Sequence, residues 1–405
     1  MSNYLVEKLK GSNTYFLSVI AMGSIGRDLI RQIEEKRKSK VIVYFTGDRT
    51  FASAMIAQDA VRPLYDHLSN LKFQEETTKR MDLFLYSCGG DVSVPWRIVS
   101  MIREFCDEFN VLIPYKAQSA ATLLSLGADT ILMGKKAELG PIDPTLKRAN
   151  AGEAAVPPQE ISVEDVNSFV SFIKERANIN DQDAVAQLMG KLIAQVGPLT
   201  LGNVNRSNNH IRLVARKLLT SRKEKIEESK LNTVIETLTE KIYSHGHAIG
   251  RREAKEMGLD VKYAEEEGIE GLLWKLYQAY EEFLKIEDPI DLEIELKGKE
   301  NSALDQVPVA VIESVDKLHV FRLSMNIARK RQVPPNLQMN VNLQLQMPPS
   351  VNLQSLPAQA QQILNEMMKQ ISSAVPKIVQ EEIVKQSPMI GFDIRPYGAK
   401  WNEEA

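Results

Sequence analysis

Short apolar runs alternate with amphipathic stretches between residues 40 and 135. Four of these runs are rich in β-branched and aromatic residues, which is typical of buried strands. The predicted strands are 40–45, 81–86, 110–115 and 130–133. Apolar residues at helical spacing fall between them and predict helices. These helices are 51–71, 94–105 and 119–126. The alternation indicates βαβ units, so we expect an α/β fold with a mostly parallel, helix-covered sheet.

The pattern changes after Pro144, where a loop with paired prolines leads into an almost entirely helical region. A charged stretch at 27–38 also predicts a helix, ahead of the first strand. The predicted helices after the loop are 162–177, 181–195, 206–221, 229–243, 251–258 and 266–284. We expect these helices to cover the sheet and to extend into an oligomer interface.

The C-terminal part of the chain has a different pattern. Residues 286–305 are rich in acids and suggest a linker. Two apolar runs then predict strands, at 307–312 and 318–323. Residues 333–357 carry no charge and repeat Asn-Leu-Gln, which is typical of an extended arm or a disordered segment. An amphipathic helix is predicted at 359–385, interrupted by Pro376.

These patterns divide the chain into three parts. Residues 1–39 form an N-terminal segment, 40–285 form the main domain with its helical extension, and 286–405 form a separate C-terminal region. We expect the C-terminal region to serve in oligomerisation or in binding a protein partner. The alternative is a flexible tail.

Composition adds limits on partners and compartment. The chain has 405 residues, 43% hydrophobic and 25% charged, so most of it can bury a core. The net charge of −3 gives no electrostatic reason to expect nucleic acid as a partner. Two cysteines, Cys88 and Cys106, fit a reducing compartment. No signal peptide is recognised, and the apolar stretch 15–25 is too short to span a bilayer, so we expect a soluble cytoplasmic protein without a membrane span.

Ser119 is the sharpest candidate for chemistry, because it stands between an apolar strand and a helix of small residues that begins with Ala120. At a helix N-terminus its hydroxyl would lie among free backbone N–H groups, near the positive end of the helix dipole. This setting suits a nucleophile whose tetrahedral intermediate is anionic. The alternative role is a helix N-cap, which explains most serines at such positions.

Gly89 and Gly90 end the preceding strand. Parallel strands bring their carboxyl ends together, and ligands bind there. Glycines at that edge would let a substrate carbonyl approach the backbone. The N–H of Gly90 or Asp91, together with that of Ala120, could then form an oxyanion hole. The alternative is an ordinary strand-to-helix turn, which also favours Gly-Gly-Asp.

A serine nucleophile needs a base, and the chain has five histidines. His67 is predicted to lie on the surface of a crossover helix, and His210 to be solvated or paired in an Arg-rich helix. His319 lies far from the sheet in sequence. His245 and His247 flank a glycine and indicate a constrained loop. We expect neither a metal nor a cofactor there, since no third ligand accompanies the pair.

Other side chains could assist a histidine or replace it. Asp143 is the carboxylate nearest to Ser119 along the chain, where it can orient a histidine or cap a turn. Lys147 and Lys174 are candidate lysine bases because a buried lysine can titrate near neutrality, although Lys174 fits a solvated helix face better. We expect Cys88 to be a small core residue and not a nucleophile.

Six motifs follow one another in the main domain. They are SCGGD, AQSAATLLSLGAD, MGKKAELGPIDP, PLTLGNVNRSNNHIRLVARKLL, YSHGHAIGRREAKEMGL and GLLWKLYQAY. Together they resemble the serine dehydrogenase proteinases, relatives of signal peptide peptidase A in the Clp-protease and crotonase superfamily. The likeness covers residues 40–285, whereas 286–405 resemble no family that we recognise.

The resemblance implies a ClpP/crotonase-like spiral of ββα units and a homo-oligomer. It implies that Ser119 is the nucleophile and that Gly89 and Gly90 belong to the oxyanion strand. It leaves the base open. The Clp-type proteolytic subunit has a histidine about where Ile142 and Asp143 stand, and this chain has none there.

Two other sources of a base follow from the same resemblance. Signal peptide peptidase A uses a lysine beyond the corresponding loop, where only Lys147 is close. The stretch HAIGRREAKEMGL resembles the segment that carries the third triad member in Clp-type proteases. His245 or His247 would then reach the site from that side, with Asp143 on the other.

The leading hypothesis is a serine endopeptidase that cleaves peptide or protein substrates through an acyl-enzyme on Ser119, with His245 as base and Asp143 as its partner. The first alternative is a catalytically inactive scaffold or assembly protein on the same fold. The second is crotonase-type acyl-CoA chemistry, which uses the same pair of N–H donors but for which no CoA site is indicated.

Overall fold

The fold is described here from a computed structural model. The structure describes residues 24–73, 78–142, 145–147, 160–242, 246–332 and 357–404. These residues form two compact units. Unit one comprises the described parts of Met1–Ile290, Val307–Leu323 and Ala399–Ala405, and unit two those of Asp291–Gln306 and Ser324–Gly398.

Strands and helices alternate in the first half of the described chain. The strands are β1 (Lys40–Thr46), β2 (Asp48–Arg49), β3 (Ala52–Ser53), β4 (Arg80–Tyr86), β5 (Glu108–Ile113), β6 (Lys116–Ala117), β7 (Thr130–Met133), β8 (Glu138–Leu139), β9 (Thr145–Lys147), β10 (Glu160–Ser162), β11 (Ile249–Gly250), β12 (Val261–Tyr263), β13 (Asn301–Glu313), β14 (Leu318–Arg331) and β15 (Met389–Glu404). The helices are α1 (Arg27–Arg37), α2 (Val61–Leu68), α3 (Val94–Arg103), α4 (Ala120–Leu126), α5 (Val163–Ser171), α6 (Gln182–Val196), α7 (Pro198–Thr220), α8 (Glu228–Glu236), α9 (Arg251–Glu256), α10 (Glu270–Leu284), α11 (Leu292–Leu296) and α12 (Ala358–Gln386). A 3₁₀ turn (Gln58–Ala60) precedes α2, and π-helical turns (Phe172–Arg176 and Thr237–Lys241) follow α5 and α8.

The central sheet has eight strands in the order β12-β7-β5-β4-β1-β13-β14-β15. The pairs from β12 to β1 are parallel, whereas β13 runs antiparallel to β1. Parallel neighbours need crossover connections, which is why helices lie between them. The carboxyl ends of β1, β4 and β5 therefore share one edge of the sheet. The predicted α/β class is confirmed as a large mixed sheet with helices, while the spiral of ββα units remains a prediction.

Alternating side chains of the sheet build two hydrophobic cores. On β1, Ile42 and Tyr44 enter one core, and Val41, Val43 and Phe45 enter the other. The first core includes side chains of α2, α3, α4, α7 and α8, and the second those of α1 and α10. All five strand residues are fully buried, which explains why β1 is a continuous apolar run and not an alternating one.

Glu313, at the end of β13, holds the start of α1. Its carboxylate accepts hydrogen bonds from the backbone N–H of Ile25 (2.9 Å) and Gly26 (3.0 Å) and from the hydroxyl of Tyr280 (2.7 Å). Burial raises the pKa of the Glu313 carboxyl to about 7. The helix-start N–H groups and the tyrosine hydroxyl compensate part of the cost of burying it. Part of the predicted C-terminal region thus contributes to the interior of unit one.

Two histidines meet inside unit one, so the prediction of a surface position for His67 was wrong. His67 is fully buried. Its Nδ1 lies 2.8 Å from Ser314 Oγ, and its Nε2 lies 3.0 Å from His319 Nδ1. Burial lowers the pKa of His67 to about 3 and also lowers that of His319. Periodicity placed His67 on a helix correctly but could not reveal that β14 packs against it. His210 is exposed on α7, as predicted.

Most predicted strands and helices are confirmed, but several predictions need correction. Residues 286–305 are not a plain linker, because they contain α11 and the start of β13, and the unpredicted strand β15 forms near the C-terminus. Residues 51–57 are not helical, because Ile56 forms an isolated β-bridge with Gly90, so α2 begins only at Val61. The helix α12 continues through Pro376, which was predicted to interrupt it. The uncharged arm predicted at 333–357 falls outside the described residues except at its last position. The domain boundaries after residues 39 and 285 remain predictions, since compactness alone does not show independent folding.

The helix α12 in unit two spans 29 residues and leaves large apolar side chains exposed. They are Ile363, Met367, Ile371, Ile378 and Val379. Within the described part of the chain, no helix combines the length and the apolar character needed to cross a bilayer.

Candidate active site

Ser119 links β6 to α4 near the carboxyl ends of the parallel strands. Its backbone has φ 52° and ψ −114°, a conformation that costs free energy for any residue with a Cβ atom. Its side chain makes no capping hydrogen bond to α4 and is only partly buried. The N-cap alternative therefore lacks its defining contact. What remains is a strained, accessible hydroxyl at a strand-to-helix turn.

Gly89 and Gly90 pass directly beside this serine. A Cβ atom at Gly89 would lie 2.9 Å from Ser119 Cβ and 3.3 Å from Ser119 Oγ. A Cβ atom at Gly90 would lie 2.1 Å from the carbonyl oxygen of Ile56. Both glycines also have positive φ, 121° and 150°. Close approach and backbone conformation thus both require glycine at these positions.

Two of the backbone N–H groups at this turn are already engaged. The N–H of Gly89 donates to Ser87 Oγ (3.1 Å), and the N–H of Asp91 donates to the carbonyl of Ile56 (2.9 Å). Gly89 therefore contributes space beside the serine and not a free donor. Asp91, one of the two donors considered from the sequence, is committed to the Ile56 segment.

Two N–H groups remain available for a ligand. Those of Gly90 and Ala120 make no hydrogen bond to any residue that the structure describes. Successive N–H groups of an extended segment point to opposite sides. Because the Asp91 N–H is turned towards Ile56, the Gly90 N–H faces the opposite side, where the Ser119 segment lies. Gly90 and Ala120 are therefore the candidate oxyanion-hole donors.

A small three-stranded sheet lies next to the serine, in the order β11-β8-β6. β6 runs parallel to β8 with Ala117 beside Leu139, and β11 runs antiparallel to β8 with Ile249 beside Leu139. One end of this sheet is thus where β6 and β8 finish and where β11 starts.

This register brings the predicted catalytic segments to one end of the small sheet. The chain leaves β6 into Ser119, leaves β8 towards Asp143, and enters β11 from His245 and His247. Asp143 and His245 themselves lie outside the described residues. The positions of their side chains therefore remain predictions, although the strands that flank them are in place.

The other predicted bases can be compared with this geometry. His247 is exposed, and its Nε2 lies 2.9 Å from Glu253 Oε1. Lys174 is exposed on a π-helical turn. Lys147 belongs to β9, but its side chain lies outside the description. No histidine in the described residues is hydrogen-bonded to Ser119, and no cluster of three or more His, Cys, Asp or Glu side chains is placed there to hold a metal ion.

A polar cluster beside the glycines was not predicted. Asp48 accepts hydrogen bonds from Lys116 Nζ (2.9 Å), the hydroxyl of Tyr86 (2.8 Å) and Cys88 Sγ (3.4 Å). Burial opposes ionisation of Asp48, but the hydrogen bonds from Lys116 and Tyr86 outweigh it and lower the pKa of Asp48. Each of these residues stands at or just beyond the end of a parallel strand, which is the signal that could have revealed the cluster.

Cys88 is exposed, so its predicted place in the core was wrong. Partial burial of its sulfur, followed by the neighbouring Asp48 carboxylate, raises the pKa of the Cys88 thiol to about 12. The thiol therefore stays protonated at neutral pH and is a poor nucleophile beside Ser119.

Comparison with known proteins gives one family and two relatives. Residues 18–195 match the sequence model of the family described as ClpP-like SDH-type serine proteinase. An uncharacterized protein of Methanocaldococcus jannaschii is 27% identical over 244 residues, which cover 58% of this chain and 72% of that protein. A second uncharacterized protein of the same organism is 22% identical over 234 residues, covering 57% and 70%. The family match includes Gly89, Gly90 and Ser119.

Proposed function

We propose that this chain is a serine endopeptidase, because residues 18–195 match the sequence model described as ClpP-like SDH-type serine proteinase, the family that its motifs resemble. The observation that supports this most is Ser119 itself. It is a strained, accessible serine without a capping hydrogen bond, beside two N–H donors that have no partner in the described residues. Strain at a functional residue persists only where the surroundings enforce it, and here the glycine turn does so.

In the proposed reaction, Ser119 Oγ attacks the carbonyl carbon of a peptide bond and gives its proton to a base. The carbonyl oxygen becomes an anion, which the N–H groups of Gly90 and Ala120 stabilise. Collapse of this intermediate breaks the C–N bond, and the amine leaves with the proton. Water then hydrolyses the acyl-enzyme and restores the serine. Loss of one such donor typically costs about 10²- to 10³-fold in rate.

The proposal takes His245 as the base and Asp143 as the group that orients it. The support is the small sheet, since the segments that carry both residues adjoin its Ser119 end. His247 is the weaker candidate because its ring pairs with Glu253 and is exposed. We further propose a reducing compartment such as the cytoplasm, because Cys88 and Cys106 are free thiols.

A fluorophosphonate probe tests the proposal directly. We expect it to label the wild-type chain once, on Ser119, and to leave Ser119→Ala unlabelled. His245→Ala should slow labelling by about 10²-fold or more, in the range of general-base effects, while His247→Ala should slow it much less. Absence of wild-type labelling, or equal labelling of Ser119→Ala, would reject the peptidase. Equal effects of the two histidine variants would reject His245 as base but not Ser119 as nucleophile.

One observation favours a second function, assembly of copies of this chain through α12. Apolar residues stand three, four, seven and eight positions to either side of Ile371. They are Ile363, Leu364, Met367, Met368, Ala374, Val375, Ile378 and Val379. Because the stripe is the same in both directions, an antiparallel second copy would set apolar side chains against apolar ones along its length. The helix carries three Glu and three Lys, so two copies do not repel through net charge.

Sedimentation velocity tests assembly through this helix. Ile371→Lys places a charge at the centre of the stripe and should dissociate the assembly, whereas Gln370→Lys, on the polar side of the same helix, should not. An unchanged sedimentation coefficient of Ile371→Lys would reject this interface. Fluorophosphonate labelling of both variants shows whether Ser119 remains reactive, so the two candidate functions are tested separately.

A further inference from the structure

Two large apolar side chains are exposed on the segment that runs beside the candidate active site. Phe51 is 49% exposed and Met55 is 65% exposed. Phe51 ends the turn between β2 and β3, and Met55 immediately precedes Ile56. Ile56 is fully buried and bonds to the glycine turn through both its N–H and its carbonyl group. Side chains alternate along an extended segment, so a buried Ile56 directs Met55 outward.

The register of the neighbouring segments places Met55 in one row with the serine. Ile56 bridges Gly90 in parallel, so Met55 stands beside Gly89. Ser87 bridges Ala117 in parallel, so Gly89 stands beside Ser119. The row across three segments is therefore Met55, Gly89 and Ser119. With about 4.8 Å between adjacent segments, the backbones of Met55 and Ser119 lie about 10 Å apart.

The middle of this row holds no side chain, because it is occupied by Gly89. A larger residue at Gly89 would clash with Ser119. The gap between Met55 and Ser119 is therefore open at its centre. A width of about 10 Å between backbones suits one extended side chain of a substrate. When the substrate is positioned for attack, Ser119 Oγ lies about 3–3.5 Å from the carbonyl carbon. The Cα atom of the same substrate residue is bonded to that carbon, so the side chain on this Cα atom is the group closest to the gap.

The segment that presents Met55 is held firmly. Gly47 N–H donates to Val309 O (2.8 Å), Ala54 N–H to Gly47 O (2.9 Å), and Ile56 N–H to Gly89 O (2.8 Å). Phe51 has φ 68°, a conformation that strains an aromatic residue. A large aromatic side chain left half exposed on a strained backbone points to a use in contact with a ligand.

We propose that Met55 is a specificity-determining residue of the peptidase, and that it selects substrates with an apolar side chain on the residue whose carbonyl is attacked. The inference rests on the proposed function. Met55 supplies an unbranched, polarisable wall that adapts to aliphatic side chains of different shape. A charged substrate side chain in the same place loses its water against this wall and gains no partner.

Peptidyl phosphonate esters test the inference. They react with the serine at phosphorus, as a substrate reacts at its carbonyl carbon, and they carry a chosen side chain next to that phosphorus. Three probes that differ only in a leucine-, lysine- or glutamate-type side chain are compared by their rates of labelling. We expect the wild-type chain to react at least 10-fold faster with the leucine-type probe than with either charged probe. Met55→Asp should raise the lysine/leucine rate ratio by at least 10-fold, and Met55→Lys should raise the glutamate/leucine ratio.

Two controls separate specificity from other effects. Met55→Leu keeps an apolar wall and should preserve the wild-type preference. Leu213→Asp adds the same charge at another exposed apolar residue, on α7, and should leave the ratios unchanged. Met55 is largely exposed, so its variants are expected to fold, which circular dichroism checks.

The outcomes distinguish the inference from the function beneath it. If all probes label Ser119 but Met55→Asp and Met55→Lys keep the wild-type ratios, Met55 does not determine specificity and the peptidase proposal stands. If no probe and no fluorophosphonate labels the wild-type chain, the peptidase proposal fails and the role of Met55 fails with it.

Discussion

At the scale of single residues, the candidate site depends on backbone geometry more than on side-chain identity. The sequence pointed to Ser119, Gly89 and Gly90 because serine and glycine at strand ends mark turns. It could not show that the Asp91 N–H is committed to Ile56, because that bond depends on a bridge between segments far apart in the chain. The assignment of Gly90 and Ala120 as the free donors therefore needed the structure.

The positive φ of Ser119 leads to a stability prediction. We expect Ser119→Gly to be more stable than Ser119→Ala by about 1 kcal/mol, because glycine adopts this conformation at little cost while alanine keeps the strain. Both variants lack the hydroxyl, so the comparison isolates the backbone. Urea unfolding followed by circular dichroism measures the difference. A glycine variant that is no more stable than the alanine variant would show that the turn stores no strain.

At the scale of elements, hydrophobic periodicity predicted the strands and helices whose structure follows from their own local sequence. β1, β4, β7 and α3 agree with the sequence pattern, since each buries a regular apolar face. The pattern failed for residues 51–57, where apolar residues at helical spacing belong instead to a hairpin and a bridge. It also missed β15, because the tail is polar and its pairing with β14 is a long-range contact. Tertiary pairing overrode local preference in both places.

The contact between His67 on α2 and His319 on β14 should make stability depend on pH. The pKa of His67 is about 3 in the folded chain and about 6.5 in an unfolded one. Between these values the unfolded chain binds a proton at His67 that the folded chain does not, so the contribution of His67 to stability falls as pH falls from about 6.5 towards 3. The slope from this group approaches 1.4 kcal/mol per pH unit. Above pH 6.5 the histidine is neutral in both states and contributes no pH dependence.

Unfolding midpoints between pH 4 and 8 test this dependence. His67→Gln should reduce the slope of stability against pH on the acid side by the contribution of one proton. It should also lower stability at neutral pH, because it disturbs the contacts with His319 and Ser314. His210→Gln, at an exposed position on α7, is the matched control and should leave the slope unchanged. An acid limb of equal slope in His67→Gln would mean that this histidine is not the group responsible.

At the scale of the whole molecule, the sequence predicted strands near 307–312 and 318–323 but not their partners. The structure adds β13 to the free side of β1, with Tyr44 beside Ile312 and Phe45 beside Val311. Periodicity shows that a segment forms a strand but not which strand it pairs with. The pairing of β13 with β1, across many intervening helices, therefore could not be predicted from the sequence. The family match, which ends at residue 195, does not reach this strand either.

The closure of β1 by β13 predicts that a chain ending at residue 285 will not fold. Such a chain lacks Glu313, which bonds to Gly26 and Tyr280, and His319, which pairs with His67. It also lacks buried side chains that together contribute on the order of 10 kcal/mol, about as much as the net stability of a typical domain. They are Val309, Val311, Ile312, Leu318 and Val320. We expect the truncated chain to show no cooperative melting and no fluorophosphonate labelling, and residues 286–405 added as a separate chain to restore some of both. A truncated chain that melts cooperatively and labels on Ser119 would instead show that residues 1–285 fold without any later strand.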